Sequence, residues 1–387
     1  MADPYTLRIL EIDGGGERGY LALNFLNRFI EYWGIDPSTI WKQFDVICGT
    51  SIGGILSTAL AAGRTPGQLL PFFTDQGPYI FSLSSLSASL RPNFIAKIGL
   101  VLTNTPFYQS SGDTFEAYGA GLLYKTVRDM LKENPEDSNS ADLTLQDLKT
   151  NVIIPAFRTS TSNQSITRKA AYTMFSNLNY AEFTGQSALA SDVALSTSAA
   201  PVYLPSYSFI DSLGFTNTYI DGGIYQNNPA YFGRNLAQMI KPTAKRTCIL
   251  SIGTGIGEMG FDLGSPAARK RNSVLKLGNS GPDPDDPPTP DDPPTPNEES
   301  SINLLMKLFN IASTGGQESV ARSLFLESKY TLGRTYYYRF QPVLDIEKNT
   351  ELDNTDTDIL EYYDQTAETW FENDIANISN FLGHLTA

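Results

Sequence analysis

Histidine is almost missing from this chain: one residue in 387, His384, inside the C-terminal "ISNFLGHLTA". A nucleophilic serine is usually activated by an imidazole, so a Ser-His-Asp triad is disfavoured unless this terminal residue folds back onto the site. Its place at a helix end suits an interaction with the helix dipole instead. Cysteine is nearly as scarce. Cys48 and Cys248 both lie in apolar runs, "FDVICG" and "TCILSIG", which excludes a disulfide framework and fits buried thiols in a reducing compartment. Basic runs are absent and the formal net charge is −14, which excludes a nucleic-acid polymer as partner, because such binding draws on Lys and Arg. The opening "MADPYTLR" lacks the basic and apolar regions of a secretory signal. No stretch approaches the ~20 apolar residues that cross a bilayer. The expectation is a cytoplasmic chain that touches a membrane only transiently, from its surface.

What is present suits a globular protein: 41% hydrophobic and 18% charged residues. Apolar strands are read at 6–12, 44–48, 151–157, near 169–175, at 218–221 and at 246–253, with an edge strand at 336–342. Helices are read at 20–33, 51–63, about 114–132, near 186–197, from Pro229 to Met239, and at about 302–329 and 356–382. Strands alternating with helices imply a three-layer α/β/α fold with a central, mostly parallel sheet. Residues 78–108 are apolar and Ser-rich without a clean period, either a lid over a site or core helix. Residues 281–300 hold eight prolines, seven Asp or Glu and no Lys or Arg, with "DDPPTP" repeated, and carry half the net charge. Such a stretch reads as an extended, solvated, disordered insertion. It divides a catalytic domain, 1–280, from a helical part, 301–387, that completes it or packs on it. In that part Ile359, Tyr363, Ala367, Trp370, Ile375, Ile378 and Phe381 form an apolar stripe at helical spacing, suited to packing on the domain.

Three short motifs carry chemistry. In "DGGGERG", Gly14, Gly16 and Gly19 satisfy G-x-G-x-x-G between a strand and a helix. That spacing alone fits a dinucleotide-binding oxidoreductase as well as a loop that stabilises an oxyanion. Context disfavours the first: the second strand ends in Cys48-Gly49 rather than an acid, and Asp13 sets a negative charge beside any pyrophosphate. Next, Gly49-Thr50-Ser51-Ile52-Gly53 is a G-x-S-x-G between strand and helix, the setting of a nucleophile elbow. Its other reading is a tight turn in which Ser51 caps the helix. Lastly, Asp221 ends a strand and precedes Gly222 and Gly223, which places a carboxylate at the sheet's carboxyl edge, where α/β enzymes bind ligands. Its other reading is an ordinary Asp-Gly turn.

Together and in this order the three motifs resemble those of the patatin-like phospholipases, as do "STSAAPVYLP" (196–205) and "LSIGTG" (250–255). The resemblance spans about residues 5 to 257. It implies a fold related to the α/β-hydrolases and a phospholipid or other acyl-lipid substrate. It also implies a Ser-Asp dyad of Ser51 and Asp221 without histidine, and a Gly14–Gly16 oxyanion hole, with no metal and no cofactor. Gly49, Gly53, Gly222 and Gly223 shape the motifs. Arg18 stands at the family's usual Arg or Lys position; its alternative is a surface ion pair with Glu17 or Glu31. Bacterial defence effectors of this family respond to nucleotide second messengers, so a small-molecule nucleotide activator is among the expected partners. A catalytically silent binding module on the same fold is the remaining reading.

Overall fold

The computed structural model describes residues 5–80, 121–163, 166–168, 171–179, 184–201, 203–257, 298–331, 333–345, 348 and 352–386. Most of residues 78–108, read as lid or core helix, and most of the Pro-rich insertion lie outside the described residues.

The sheet forms around β1 (Thr6–Ile12), whose seven residues are all buried. Because side chains alternate along a strand, Leu7 and Ile9 enter one apolar cluster and Leu10 and Ile12 the other, so both faces must be covered. One face is covered by α1 (Gly19–Trp33) and α2 (Ile52–Ala61). All ten residues of α2 are buried, which suits its apolar sequence. α1 keeps its apolar stripe inward and ends on Gly34, in the left-handed conformation at φ 72°.

β1 is flanked by β2 (Val46–Gly49) and β8 (Arg246–Ile252), both parallel to it, and β8 is flanked by β10 (Thr335–Phe340), also parallel. On the other side β2 pairs in parallel with β3 (Asn151–Asn163). The sheet order is β10-β8-β1-β2-β3-β7-β6, where β7 is Thr216–Asp221 and β6 is Tyr207–Ile210, with β4 (Ile166–Arg168) and β5 (Ala171–Phe175) also pairing with β3. Strand β3 runs six residues past its expected end. Against it lie β5 and β7, both antiparallel, with β6 antiparallel to β7. The fold is therefore three-layered with a mixed, mostly parallel sheet. Between these strands lie α3 (Gly121–Met130), α4 (Ala190–Thr197) and α5 (Ala230–Asn235), and a short pair joins β9 (Ile256–Gly257) to β11 (Val343–Leu344).

Two helix expectations need correction. The helix read from Pro229 begins at Ala230 and is interrupted at Leu236 before a last turn, Ala237–Ile240. The last helix is broken at Asp374 into α7 (Thr357–Asn373) and α8 (Ile375–Thr386). The break restarts the helical period, so Ile359, Tyr363, Ala367, Ile378 and Phe381 are buried while Ile375 is exposed. Before them, α6 (Glu298–Tyr330) spans 33 residues and sends Leu324 into the second apolar cluster. Both cysteines are free and buried, and burial pushes the Cys248 thiol up to about 11.

Candidate active site

Only two residues separate β2 from α2, so the chain turns sharply at Thr50-Ser51. Ser51 makes the turn at φ 57° and ψ −129°, and among the described residues it alone has a positive φ without being glycine. Such a backbone costs about 1–3 kcal/mol and persists only where its surroundings hold it. Here the Ser51 N–H donates to Thr197 Oγ1 at 3.0 Å, and that hydroxyl donates to the Pro155 carbonyl at 2.5 Å. Side chains on the flanks would break the turn. A Cβ on Gly53 would lie 2.1 Å from the Ile12 carbonyl oxygen, and one on Gly49 2.3 Å from that of Gly53. The Ser51 side chain makes no capping bond to α2, so the helix-cap reading is not realised.

Asp221 reaches the same place from the opposite direction. Cys48 pairs with Ile153 on β3, and Asp221 pairs with Ala156, so antiparallel β7 descends along the β3 overhang and stops beside the turn. The Asp221 side chain is fully buried, and its Oδ1 accepts the Gly223 N–H at 2.6 Å. The Asp-Gly turn is thus present as well. Burial pushes the carboxyl up to about 7, opposed by the Ser51 hydroxyl and the Gly223 N–H. Oδ2 has no partner within hydrogen-bond geometry, so the approach of Ser51 is looser than a formed bond. Such contacts are often long before substrate is bound.

Gly14, Gly15 and Gly16 form the loop after β1. The Gly14 carbonyl accepts the Thr254 hydroxyl at 2.9 Å and Asn227 Nδ2 at 3.3 Å, while its N–H makes a long 3.4 Å contact with the Asn227 carbonyl. The N–H groups of Gly15 and Gly16 have no acceptor among the described residues. Gly16 adopts φ 56°, and a Cβ there would lie 2.2 Å from the Leu352 carbonyl oxygen. Asp13 is fully buried, and its carboxylate binds Arg339 and Asn228. Arg339 compensates its charge there, so Asp13 does not by itself repel a pyrophosphate from the loop.

A cavity of about 50 Å³ joins the glycine loop to the serine turn, with Gly14, Gly15, Gly16, Ser51 and Arg18 in its wall; Asp221 does not line it. It has room for about one or two waters. Its lining includes the apolar Ile52, Ile55, Phe72 and Leu204 and, from α6, the polar Asn310, Ser313, Thr314 and Gln317. Arg18 makes no ion pair among the described residues, against the surface-pair reading; its Nε contacts the Gly15 carbonyl at 3.4 Å. Burial lowers the pKa of its guanidinium. Among the described residues no group of three or more His, Cys, Asp or Glu could hold a metal ion.

His384 is elsewhere. Its ring stacks on Tyr336 at 3.8 Å, and its carbonyl accepts the Cys248 thiol, near the amino ends of β8 and β10. The site lies at the carboxyl ends. The structure adds Thr197, Asn227, Thr254 and Gln317. The first and third stand in the "STSAAP" and "LSIGTG" blocks and Asn227 in "GGIYQNNP", which marked them as neighbours without giving them tasks. No signal in the sequence singled out Gln317.

Comparison with known proteins agrees with the motifs. The model of the patatin-like phospholipase family matches residues 10–232. A cGAMP-activated phospholipase of Vibrio cholerae serotype O1 is 32% identical over 235 residues, covering 59% of this chain and 56% of the relative. A second protein of that name, from Escherichia coli, is 30% identical over 266 residues, covering 66% and 64%. The chain thus spans under two thirds of the length of these relatives. Among solved structures, VipD from Legionella pneumophila aligns with a TM-score of 0.34 at 12% identity, over 95% of this chain and 68% of that one.

Proposed function

The chain belongs to the patatin-like phospholipase family, and from that premise we propose that it is a lipid acyl hydrolase working through Ser51 and Asp221. The observation that carries the proposal is a serine held at positive φ beside a buried carboxyl whose pKa is raised to about 7. An unperturbed aspartate, at about 3.9, is a poor acceptor for a serine proton, and burial brings it close to neutral pH.

In this reading Ser51 Oγ attacks the ester carbonyl carbon while Asp221 Oδ2 takes the hydroxyl proton. The oxyanion is met by the N–H groups of Gly15 and Gly16, each such donor being worth about 10²–10³ in rate. The tetrahedral intermediate collapses, the C–O bond to the alcohol breaks, and Asp221 returns its proton to that oxygen. Water then attacks the acyl-enzyme, giving its proton to Asp221, and the fatty acid leaves as Ser51 recovers its proton. Arg18 and the polar face of α6 lie toward the polar part of the lipid, and the Ile52, Ile55 and Phe72 wall toward the acyl chain.

The test is mass spectrometry of a mixed phospholipid extract. Wild type releases fatty acids, Ser51→Ala and Asp221→Asn release none above background, and His384→Ala behaves as wild type. Labelling of Ser51 by a fluorophosphonate separates an enzyme from a silent binding module. The names of the two relatives motivate a further reading, that a cyclic dinucleotide raises the activity. Hydrolysis measured with and without cGAMP decides it; equal rates count against it. We place the reaction at the cytoplasmic surface of a membrane, contacted transiently. Among the described residues no helix is long and apolar enough to cross one.

A further inference from the structure

Glu11, Ser251 and Arg339 stand in one row across β1, β8 and β10, because Glu11 pairs with Ser251 and Ser251 with Arg339 in register. The alternation of side chains puts all three on the same face of the sheet, one residue below the carboxyl ends. Glu11 and Asp13 are both fully buried. Arg339 donates from Nη2 to Asp13 Oδ2 at 2.5 Å, and from Nη1 to Asp13 Oδ1 at 3.1 Å and to Ser251 Oγ at 2.8 Å. Glu11 Oε2 lies 3.7 Å from the same guanidinium. Asn228 closes the group, its Nδ2 within 2.8 Å of both Glu11 Oε2 and Asp13 Oδ1. Burial, reinforced by the neighbouring Asp13, pushes the Glu11 carboxyl up; burial opposes the charge on Arg339, but Asp13, with Tyr337 and Glu11, outweighs it and the guanidinium is raised.

Each arm of this group ends in the proposed site. Asp13 is joined directly to Gly14-Gly15-Gly16, and its own N–H is fixed to the Ile252 carbonyl at 2.9 Å. Asn228 follows Asn227, which holds the Gly14 carbonyl, and Gln226, whose carbonyl accepts the Thr50 hydroxyl beside Ser51 at 2.7 Å. The loop after β1, the turn after β2 and the loop after β7 therefore converge on one buried cation. That cation comes from β10, outside residues 10–232.

We propose that Arg339 is a positioning residue for hydrolysis: its two-pronged bond to Asp13 sets the Gly14–Gly16 loop at the height where its N–H groups meet the oxyanion. The inference rests on the Ser51-Asp221 reading. Lysine keeps the charge but not the planar fork, so it loosens the loop without stripping the carboxylates of their cation. A buried pair that loses one partner costs about 3–5 kcal/mol, whereas removing both partners avoids the orphaned charge.

The experiment uses full-length Arg339→Lys and the double variant Asp13→Asn/Arg339→Met, which keeps only Glu11 of the three ionisable groups, a carboxyl that burial holds toward its neutral form. Steady-state hydrolysis, thermal unfolding and affinity for a trifluoromethyl ketone that forms a tetrahedral adduct on Ser51 are measured. In Arg339→Lys, kcat should fall at least tenfold with KM within about twofold. The double variant should regain thermal stability yet lose at least thirtyfold in kcat, and ketone affinity should fall in step with kcat in both. A folded variant with kcat within threefold of wild type overturns the inference, as does failure of both to fold, which would assign Arg339 to the fold alone. A wild type that hydrolyses no lipid and takes up no fluorophosphonate sinks the Ser51-Asp221 reading instead.

Discussion

At the scale of single residues, two buried carboxyls set the response to pH. Asp221 must be ionised to accept a proton, and its pKa is raised to about 7. Under the proposed mechanism kcat/KM therefore climbs about tenfold per pH unit below pH 7 and levels above it. A profile flat from pH 5 to 8 would contradict Asp221 as the base. Glu17 behaves differently. It is fully buried, neither carboxyl oxygen has a hydrogen-bond partner, and burial alone lifts it from 4.5 to about 9. It is neutral in the folded chain at pH 7 and ionised in the unfolded one. Stability is thus highest below pH 4.5 and falls by about 1.4 kcal/mol per pH unit up to about pH 9 on this group's account. Glu17→Gln removes that slope, so urea unfolding at pH 6, 7 and 8 should show the variant gaining on wild type as pH rises. Ser51 and Asp221 were legible in the sequence because a tight turn and a strand end leave local signatures. Glu17 was not: only the packing of Gly77 against its carboxyl, where a Cβ would sit 2.5 Å from Oε1, shows it to be buried.

Elements are held to one another mainly by backbone proximity near the site. α2 starts so close to β1 that Gly53 touches the Ile12 carbonyl, an atom that cannot move without breaking the sheet. Gly53→Ala should therefore cost about 1–3 kcal/mol through overpacking and turn Ser51 off its axis. Thermal unfolding should show the loss of stability, and fluorophosphonate labelling a rate at least tenfold lower. Labelling at the wild-type rate would mean the turn tolerates what the geometry forbids. The early elements were legible for the same reason the glycines are required: β1, α1, β2 and α2 are local units with clean periods. Direction was harder to read. β7 carries the apolar alternation of any strand, and nothing in "TNTYID" says that it runs against β3; that follows from the length of β3, thirteen residues in all, whose stretch beyond β2 offers a partner to a returning chain.

For the whole molecule the question is where folding ends and the neighbouring segments begin. The three motifs, and the resemblance built on them, stop by about residue 257, yet β10 closes one side of the sheet, α6 walls the cavity, and Phe340 stacks on Phe25 of α1 with ring centres 4.1 Å apart. These long-range debts were invisible in the sequence, where "YYYRFQP" shows an edge strand and gives no reason for its arginine. A chain cut after Gly257 would expose the six residues of β8 that pair with β10 and leave Glu11 and Asp13 buried without a cation. An uncompensated buried charge costs about 3–5 kcal/mol, a large share of the about 5–15 kcal/mol that stabilises a typical domain. Residues 1–257 expressed alone should therefore aggregate or remain unfolded by circular dichroism. Co-expression with residues 298–387 should recover a soluble complex that labels at Ser51, because β10 can add to β8 and return Arg339 to its carboxylates without the connecting segment. A soluble, fluorophosphonate-reactive 1–257 fragment would show that the loop holds its place without β10, and would count equally against Arg339 as its anchor.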